Sequence, residues 1–226
     1  MNRWHALPLF VLVAAVSWVT VTSIRPAKAA DNAKANNDGF VDLFNGKDLI
    51  GWKIGDKASA WNVVDGEMVV NNGPAHIFYD GPEHNHDWKN FHLRAEVMTK
   101  PHANSGIYFH TKYQESGWPA QGFEAQVNQT HSDPKKTGGL YAMKDVMNIP
   151  PAEDNKWFVY DIIVEGKHVI LKIDGKVTTD WTEPDPATPP QSMPGRFIQH
   201  GTIALQGHDP KSETHYKSIK IKALPD

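Results

Sequence analysis

From Phe40 onward the apolar positions fall in short segments, most ending in a cluster of Gly, Pro, Asn or Asp. The clearest is Phe91-His92-Leu93-Arg94-Ala95-Glu96-Val97, where apolar and polar residues alternate strictly, as a strand with one buried face requires. Residues 61–64, 67–70, 107–111, 123–128, 157–165, 169–173, 202–206 and 216–223 read as further strands. Asp65-Gly66 and Asp174-Gly175 lie between apolar runs and suit the positive φ values of tight hairpin turns, and Glu165-Gly166 is a third candidate. No segment carries the 3.6-residue period of an amphipathic helix. Short strands without crossover helices pair antiparallel, so the predicted fold is all-β: a jelly-roll β-sandwich of two antiparallel sheets, in one domain over residues 39–226. Residues 183–195, with five prolines, read as a long surface loop.

The N-terminus follows a different pattern. Arg3 precedes an apolar run over residues 6–21, and Arg25-Pro26-Ala27-Lys28-Ala29-Ala30 follows it. This is the order of a secretory signal with an A-x-A site at Ala27 and Ala29, so residues 1–29 are expected to be a cleaved leader and residues 30–38 a polar tether. The alternative is a retained single-span anchor, since the stretch between Arg3 and Arg25 is uncharged. The cleaved reading predicts an exported protein, periplasmic or extracellular, without stable membrane insertion. Charge and composition narrow the chemistry. A net charge of −3 leaves no basic surplus for a phosphate backbone, which argues against nucleic acid as a partner. The absence of Cys removes disulfides, thiolate metal sites and Cys nucleophiles, leaving 12 His and the carboxylates for acid–base or metal work.

Those residues gather in three places. Along Phe123-Glu124-Ala125-Gln126-Val127-Asn128, the side chains of Glu124, Gln126 and Asn128 share one face, either a solvated surface or the floor of a polar cleft able to grip sugar hydroxyls. The segment Ile107-Tyr108-Phe109-His110 would, if paired with that strand, set Tyr108 and His110 beside Glu124, making a His–carboxylate pair for proton transfer. A strand ending in Gln206-Gly207-His208-Asp209 offers His208 as acid, base or metal ligand and Asp209 as its orienting partner or a further ligand to a divalent metal ion. Trp118, ahead of the Phe123 strand, would present a ring face to a sugar or pack in the core. The H-x-H of Glu83-His84-Asn85-His86-Asp87 is a weak metal signal and reads as a solvated loop.

The opening Phe40-Val41-Asp42-Leu43-Phe44-Asn45-Gly46-Lys47-Asp48-Leu49 with Trp52, the Trp61–Gly66 hairpin, Asn104-Ser105-Gly106-Ile107, Glu124-x-Gln126, Thr137-Gly138-Gly139-Leu140-Tyr141 and Ala204-Leu205-Gln206-Gly207-His208 resemble, in order, the 3-keto-disaccharide hydrolase domain family. The resemblance implies a concanavalin A-like sandwich. It also implies cleavage of glycosides already oxidised to the ketone at C3, in a cleft lined by His110, Glu124, Gln126, Tyr141 and His208. The chain departs from the family pattern at His110, where many members carry Arg, at Asn128, where an acidic residue is usual, and at Lys217-Ser218, where an Arg-Asn pair is usual.

A C3 ketone acidifies the proton on C2, so a base can remove it and the C1 substituent can leave by elimination. The expected assignment is Lys217 or a divalent ion for the enolate, and His110 or His208 with Glu124 for the proton. Tyr108, Gln126, Asn128, Tyr141, Gln206 and Trp118 are expected to hold the 3-keto oligosaccharide. The alternative function is a non-catalytic carbohydrate-binding sandwich.

Overall fold

The computed structural model describes Met1 and residues 38–226; apart from Met1 and Asp38, the expected leader (1–29) and tether (30–38) lie outside the described residues. Fifteen strands follow in chain order among the described residues. The first five are β1 (Val41–Asp42), β2 (Trp52–Ile54), β3 (Trp61–Val64), β4 (Glu67–Asn71) and β5 (Ala75–Tyr79). The central five are β6 (Phe91–Thr99), β7 (Asn104–Thr111), β8 (Phe123–Asn128), β9 (Lys135–Leu140) and β10 (Lys144–Met147). The last five are β11 (Phe158–Glu165), β12 (His168–Ile173), β13 (Lys176–Thr182), β14 (Thr202–Gly207) and β15 (Glu213–Ala223). The only helical piece among the described residues is a single 3₁₀ turn at Ala58–Ala60; Glu83–His86 is a tight turn with His84, Asn85 and His86 at positive φ. No helix among the described residues is long and apolar enough to cross a membrane.

Every strand pairing is antiparallel, and the strands form two sheets. The back sheet runs β13-β12-β11-β6-β15-β4-β3 with β1 on β15, and the front sheet runs β10-β9-β8-β7-β14-β5-β2. This is the jelly-roll sandwich expected. Asp65-Gly66 and Asp174-Gly175 turn their hairpins with φ of 52°, 83°, 48° and 78°, and Gly166 turns the third at 58°.

The core lies between the sheets. Phe91, Leu93, Ala95 and Val97, the apolar half of β6, pack with Ile107 and Phe109 of β7 and Phe123, Ala125 and Val127 of β8, all fully buried. Each large apolar side chain so removed from water contributes about 1.5–3 kcal/mol. The two sheets differ in what covers their outer faces. On β6 the outward residues His92, Arg94 and Glu96 are part-exposed, whereas β5, β7, β8 and β14 are buried on both faces. The segments 112–122, 129–134 and 183–200 supply residues that wall the outer face of the front sheet, and they leave a cleft there.

Candidate active site

The cleft has a volume of about 530 Å³. Its floor is the polar face of the front sheet: Asn104 and Tyr108 from β7, Glu124 and Gln126 from β8, and Gln206 from β14. Register explains the convergence, since Tyr108 lies opposite Glu124 and Ala204, and Gly106 lies opposite Gln126. Glu124 is central and 5% exposed. Its Oε2 accepts the Tyr108 hydroxyl at 2.9 Å and Arg196 Nη2 at 3.4 Å, and its Oε1 accepts Gln206 Nε2 at 3.1 Å. Burial raises the Glu124 carboxyl above the usual carboxylate range, an effect that outweighs the opposing pull of Arg196. Burial, and then the adjacent Glu124, hold the Tyr108 phenol well above its ordinary value, so it stays a proton donor at neutral pH.

Two floor residues keep an acceptor free. Gln206 donates to both Tyr108 and Glu124, and Gln126 donates to Asn104 Oδ1 at 3.2 Å, yet the Oε1 atoms of both are buried and unpartnered among the described residues. Buried polar atoms are seldom left so. The rim carries His208, Tyr141 and Trp118. Asp209 Oδ2 lies 3.1 Å from His208 Nδ1, which leaves Nε2 for proton transfer. Burial pulls the Asp209 carboxyl up, but the Ser212 hydroxyl, the Lys211 N–H and His208 together hold it below its ordinary value. Trp118 is half exposed, its ring 5.2 Å from His208, a platform of the kind a sugar stacks on.

Four expectations need correction. His110 does not join Glu124. Between the pairs Tyr108↔Ala204 and Thr111↔Thr202, two residues of β7 oppose the single Ile203, and His110 takes φ 54° at this bulge. The bulge breaks the alternation, and the ring packs edge-on against Phe91 and Phe109 with Nε2 donating to Lys89 O at 2.8 Å. Lys217 lies on β15 of the back sheet, at the residue bulged between the Tyr216 and Ser218 pairs, 56% exposed and 4.0 Å from Glu96. It cannot serve the cleft. Asn128 shares the floor's face but has no capacity left: Nδ2 donates to Asp133 O and Lys135 O, while Oδ1 accepts His131 N and Lys136 Nζ. It organises the loop beside the cleft and does not line it. The segment 183–195 is a loop, but its end is the wall of the site, with Ser192, Met193, Pro194 and the adjacent Arg196 facing the cleft.

Arg196 is the cation that the sequence reading missed. It is buried, donates to Gly122 O at 3.2 Å as well as to Glu124, and lies over the Tyr108 ring. A lone Arg beside a proline-rich loop was the only signal available. His131 was also missed; with His208 and Asp209 it brings three ligating atoms within 4.8 Å of one another. The H-x-H pair His84 and His86 forms no such cluster among the described residues.

The 3-keto-alpha-glucoside-1,2-lyase-like domain matches residues 39–222. The chain belongs to that family. A candidate glycosyl hydrolase from Parabacteroides distasonis ATCC 8503 shares the fold, with TM-score 0.69 and 23% identity over 83% of this chain and 95% of its own. The carbohydrate binding module CBM66 from Bacillus subtilis superposes with TM-score 0.54 and 12% identity, covering 76% of this chain and 96% of its own. A Bacillus licheniformis beta-glucanase gives TM-score 0.55 at 12% identity, over 82% of this chain and 97% of its own. No curated protein matches the sequence.

Proposed function

We propose that this family member is an exported enzyme that cleaves glycosides carrying a ketone at C3, by elimination across C1 and C2. The observation that carries the reading is the Glu124–Arg196–Tyr108 cluster, buried beneath an open cleft whose rim presents His208 paired with Asp209. His208, oriented by Asp209, takes the proton from C2. The electron pair left behind moves into the C2–C3 enolate, whose oxygen is stabilised by Arg196 and the Tyr108 hydroxyl. The enolate then collapses: the C3 carbonyl re-forms, a C1–C2 double bond appears, and the C1–O bond breaks. The departing oxygen takes a proton from Glu124, whose raised carboxyl suits an acid. Water added across the double bond would complete a net hydrolysis. Direct displacement at C1 needs two carboxylates flanking the bond; Glu124 and Asp133 both line the cleft, so exchange at C2 is what separates the two routes.

In place of their role as base and orienting partner, His208 and Asp209 could join His131 as an N, N, O donor set that suits a borderline divalent ion, which would supply Lewis-acid polarisation of the ketone. Export rests on the Ala27-x-Ala29 pattern after the apolar run.

The test is the reaction of 3-keto-trehalose in D2O, run before and after chelation. Deuterium at C2 of the released sugar, or an accumulating 1,2-ene, is expected; loss of turnover on chelation, restored by a divalent ion, would assign the metal. Water oxygen delivered to C1 without exchange at C2 would mean direct displacement. Sugar binding with no turnover would make the chain a carbohydrate-binding sandwich.

A further inference from the structure

A second cavity of about 340 Å³ lies beside the cleft, and Trp118 lines both. The indole is half exposed and borders open space in each, so it lacks the all-round packing that fixes a core ring. Its place must come largely from its backbone. We propose that Gln114 is a positioning residue of the site, whose one side chain sets the course of residues 114–120 and thereby holds the Trp118 indole at the cleft rim against His208. The consequence for turnover rests on reading His208 as the base; the hold on Trp118 does not.

Gln114 lies in the connection from β7 to β8, and its own position is firm. The Tyr113 ring before it meets Phe78 edge-on at 5.4 Å and lies 3.7 Å beneath Lys53 Nζ, and a Cβ on Gly55 would stand 2.7 Å from Gln114 O. From that footing the side chain turns back on its own loop. Nε2 donates to the carbonyl oxygens of Ser116, Gly117 and Trp118 at 2.9, 3.0 and 2.8 Å, and Oε1 accepts the N–H of Ala120 at 3.0 Å. These contacts use both ends of the amide and reach residues on both sides of Trp118 as well as Trp118 itself. The pattern is specific to a side-chain amide: a carboxylate has no hydrogen to donate, an ammonium has no oxygen to accept with, and Asn is one methylene shorter. Gly117 N adds a second tie, donating to Asp56 Oδ2 at 3.1 Å and securing the loop to the connection after β2.

The indole so held meets the site's proton-transfer group. Its centroid is 5.2 Å from that of His208, with the planes at 37°, and 5.2 Å from that of His76, with the planes at 83°. His208 is thus bounded by Asp209 at Nδ1, by the His131 ring 5.5 Å away and by Trp118. Removing the Gln114 amide leaves three carbonyls facing inward without a donor, and the loop must relax to satisfy them with water. Trp118 moves with the loop. His208 then loses one of its three neighbours, and Ala120, which lines the cleft and is held by the same amide, shifts as well.

The test follows Trp118 directly. In protein labelled with 5-fluorotryptophan, the Trp118 resonance is the fluorine signal missing from Trp118→Phe. Gln114→Glu has nearly the same shape but no hydrogen to donate, so it should move the Trp118 resonance toward that of free fluorotryptophan and leave the other indole signals in place. A Trp118 signal that does not move, or all signals moving together, would overturn the assignment. Turnover of 3-keto-trehalose gives the second readout. Gln114→Glu and Trp118→Ala should each lower kcat/KM about tenfold, and the double variant should lose no more than Trp118→Ala alone, since both substitutions remove the same contact. Losses that multiply would show that Gln114 acts by another route and would overturn the assignment too. If the wild type turns over no 3-keto-glycoside, the reaction reading falls and the fluorine shift alone decides the role of Gln114. Should Gln114→Glu not fold, Gln114→Ala replaces it with the same expectations.

Discussion

A Cβ placed on Gly106 would stand 2.5 Å from Glu124 Oε1 and 2.8 Å from its Cγ. Gly106 lies on β7 opposite Gln126, two pairs along from the Tyr108↔Glu124 pair and on the same face, so its missing side chain is the space into which Glu124 lies to reach Tyr108 and Gln206. The glycine is needed for room, since its φ is not among the positive ones. Gly106→Ala should therefore push the carboxylate off its partners while the surrounding ladder, which uses only backbone, remains. The expected outcome is a loss of turnover of about 100-fold, the low end of what a positioned proton donor contributes, with a comparatively small change in melting temperature. Full turnover with a lowered melting temperature would show that the Glu124 position is not critical. The same crowding limits what else can sit there. Arg196 reaches Glu124 only because Gly195 and Gly122 bring their two segments into backbone contact, Gly122 N donating to Gly195 O at 3.0 Å.

At the scale of elements, the alternating and the largely apolar strands were legible, and those whose apolar run is broken by polar residues or glycine were missed. β6 and β8 carry apolar residues at every second position, and that period gives the bounds of β8 and all of β6 except its last two residues, Met98 and Thr99. β5 reads Ala-His-Ile-Phe-Tyr and β9 reads Lys-Lys-Thr-Gly-Gly-Leu; both are buried along most of their length, but polar or glycine residues occupy places where alternation would be sought. β9 is covered on its outer face by loops, so its Thr137 and Lys136 are satisfied by Gln129, Asn128 and His131 rather than by water. The floor of the cleft was legible for the same reason as β8. Period two places Glu124 and Gln126 on one face, and pairing adds Tyr108 and Gln206. The period misleads where a bulge interrupts it, which moved His110 out of the cleft. Lys217 lies on the back sheet because β15 pairs with β4 and β6 there, a placement that no period reports. Loops carry no period at all. Arg196, His131 and the pairing of His76 with Gln206 across β5 and β14 could be found only once the sheets were assembled.

Across the whole molecule, two buried histidines make folding sensitive to acid. His76 and His110 are 1% and 0% exposed, and burial pushes each down to about 4 from an ordinary 6.5. The folded chain then binds fewer protons at these sites than the unfolded chain between those two values, so stability falls as pH drops from about 6.5 to about 4 and is unaffected by them above that window. Over the full window each histidine removes roughly 3 kcal/mol, a sizeable part of the 5–15 kcal/mol that holds a typical domain together. Glu124 works in the opposite direction, because its raised carboxyl takes up a proton in the folded state first and offsets part of the loss. Asp161 and Asp209, held below their ordinary values, add their own losses only at lower pH. Urea midpoints should thus be level above about pH 7 and fall steeply from there to pH 4. His110→Phe removes one of the two groups. It gives up the hydrogen bond to Lys89 O, so it should be less stable than the wild type at pH 7 yet lose less on acidification, while its turnover at pH 7 stays near that of the wild type. A steep acid slope unchanged by that substitution would mean that His110 opens to water before the fold does, and a collapse of turnover in a folded His110→Phe protein would return the residue to the active site from which the bulge of β7 excludes it.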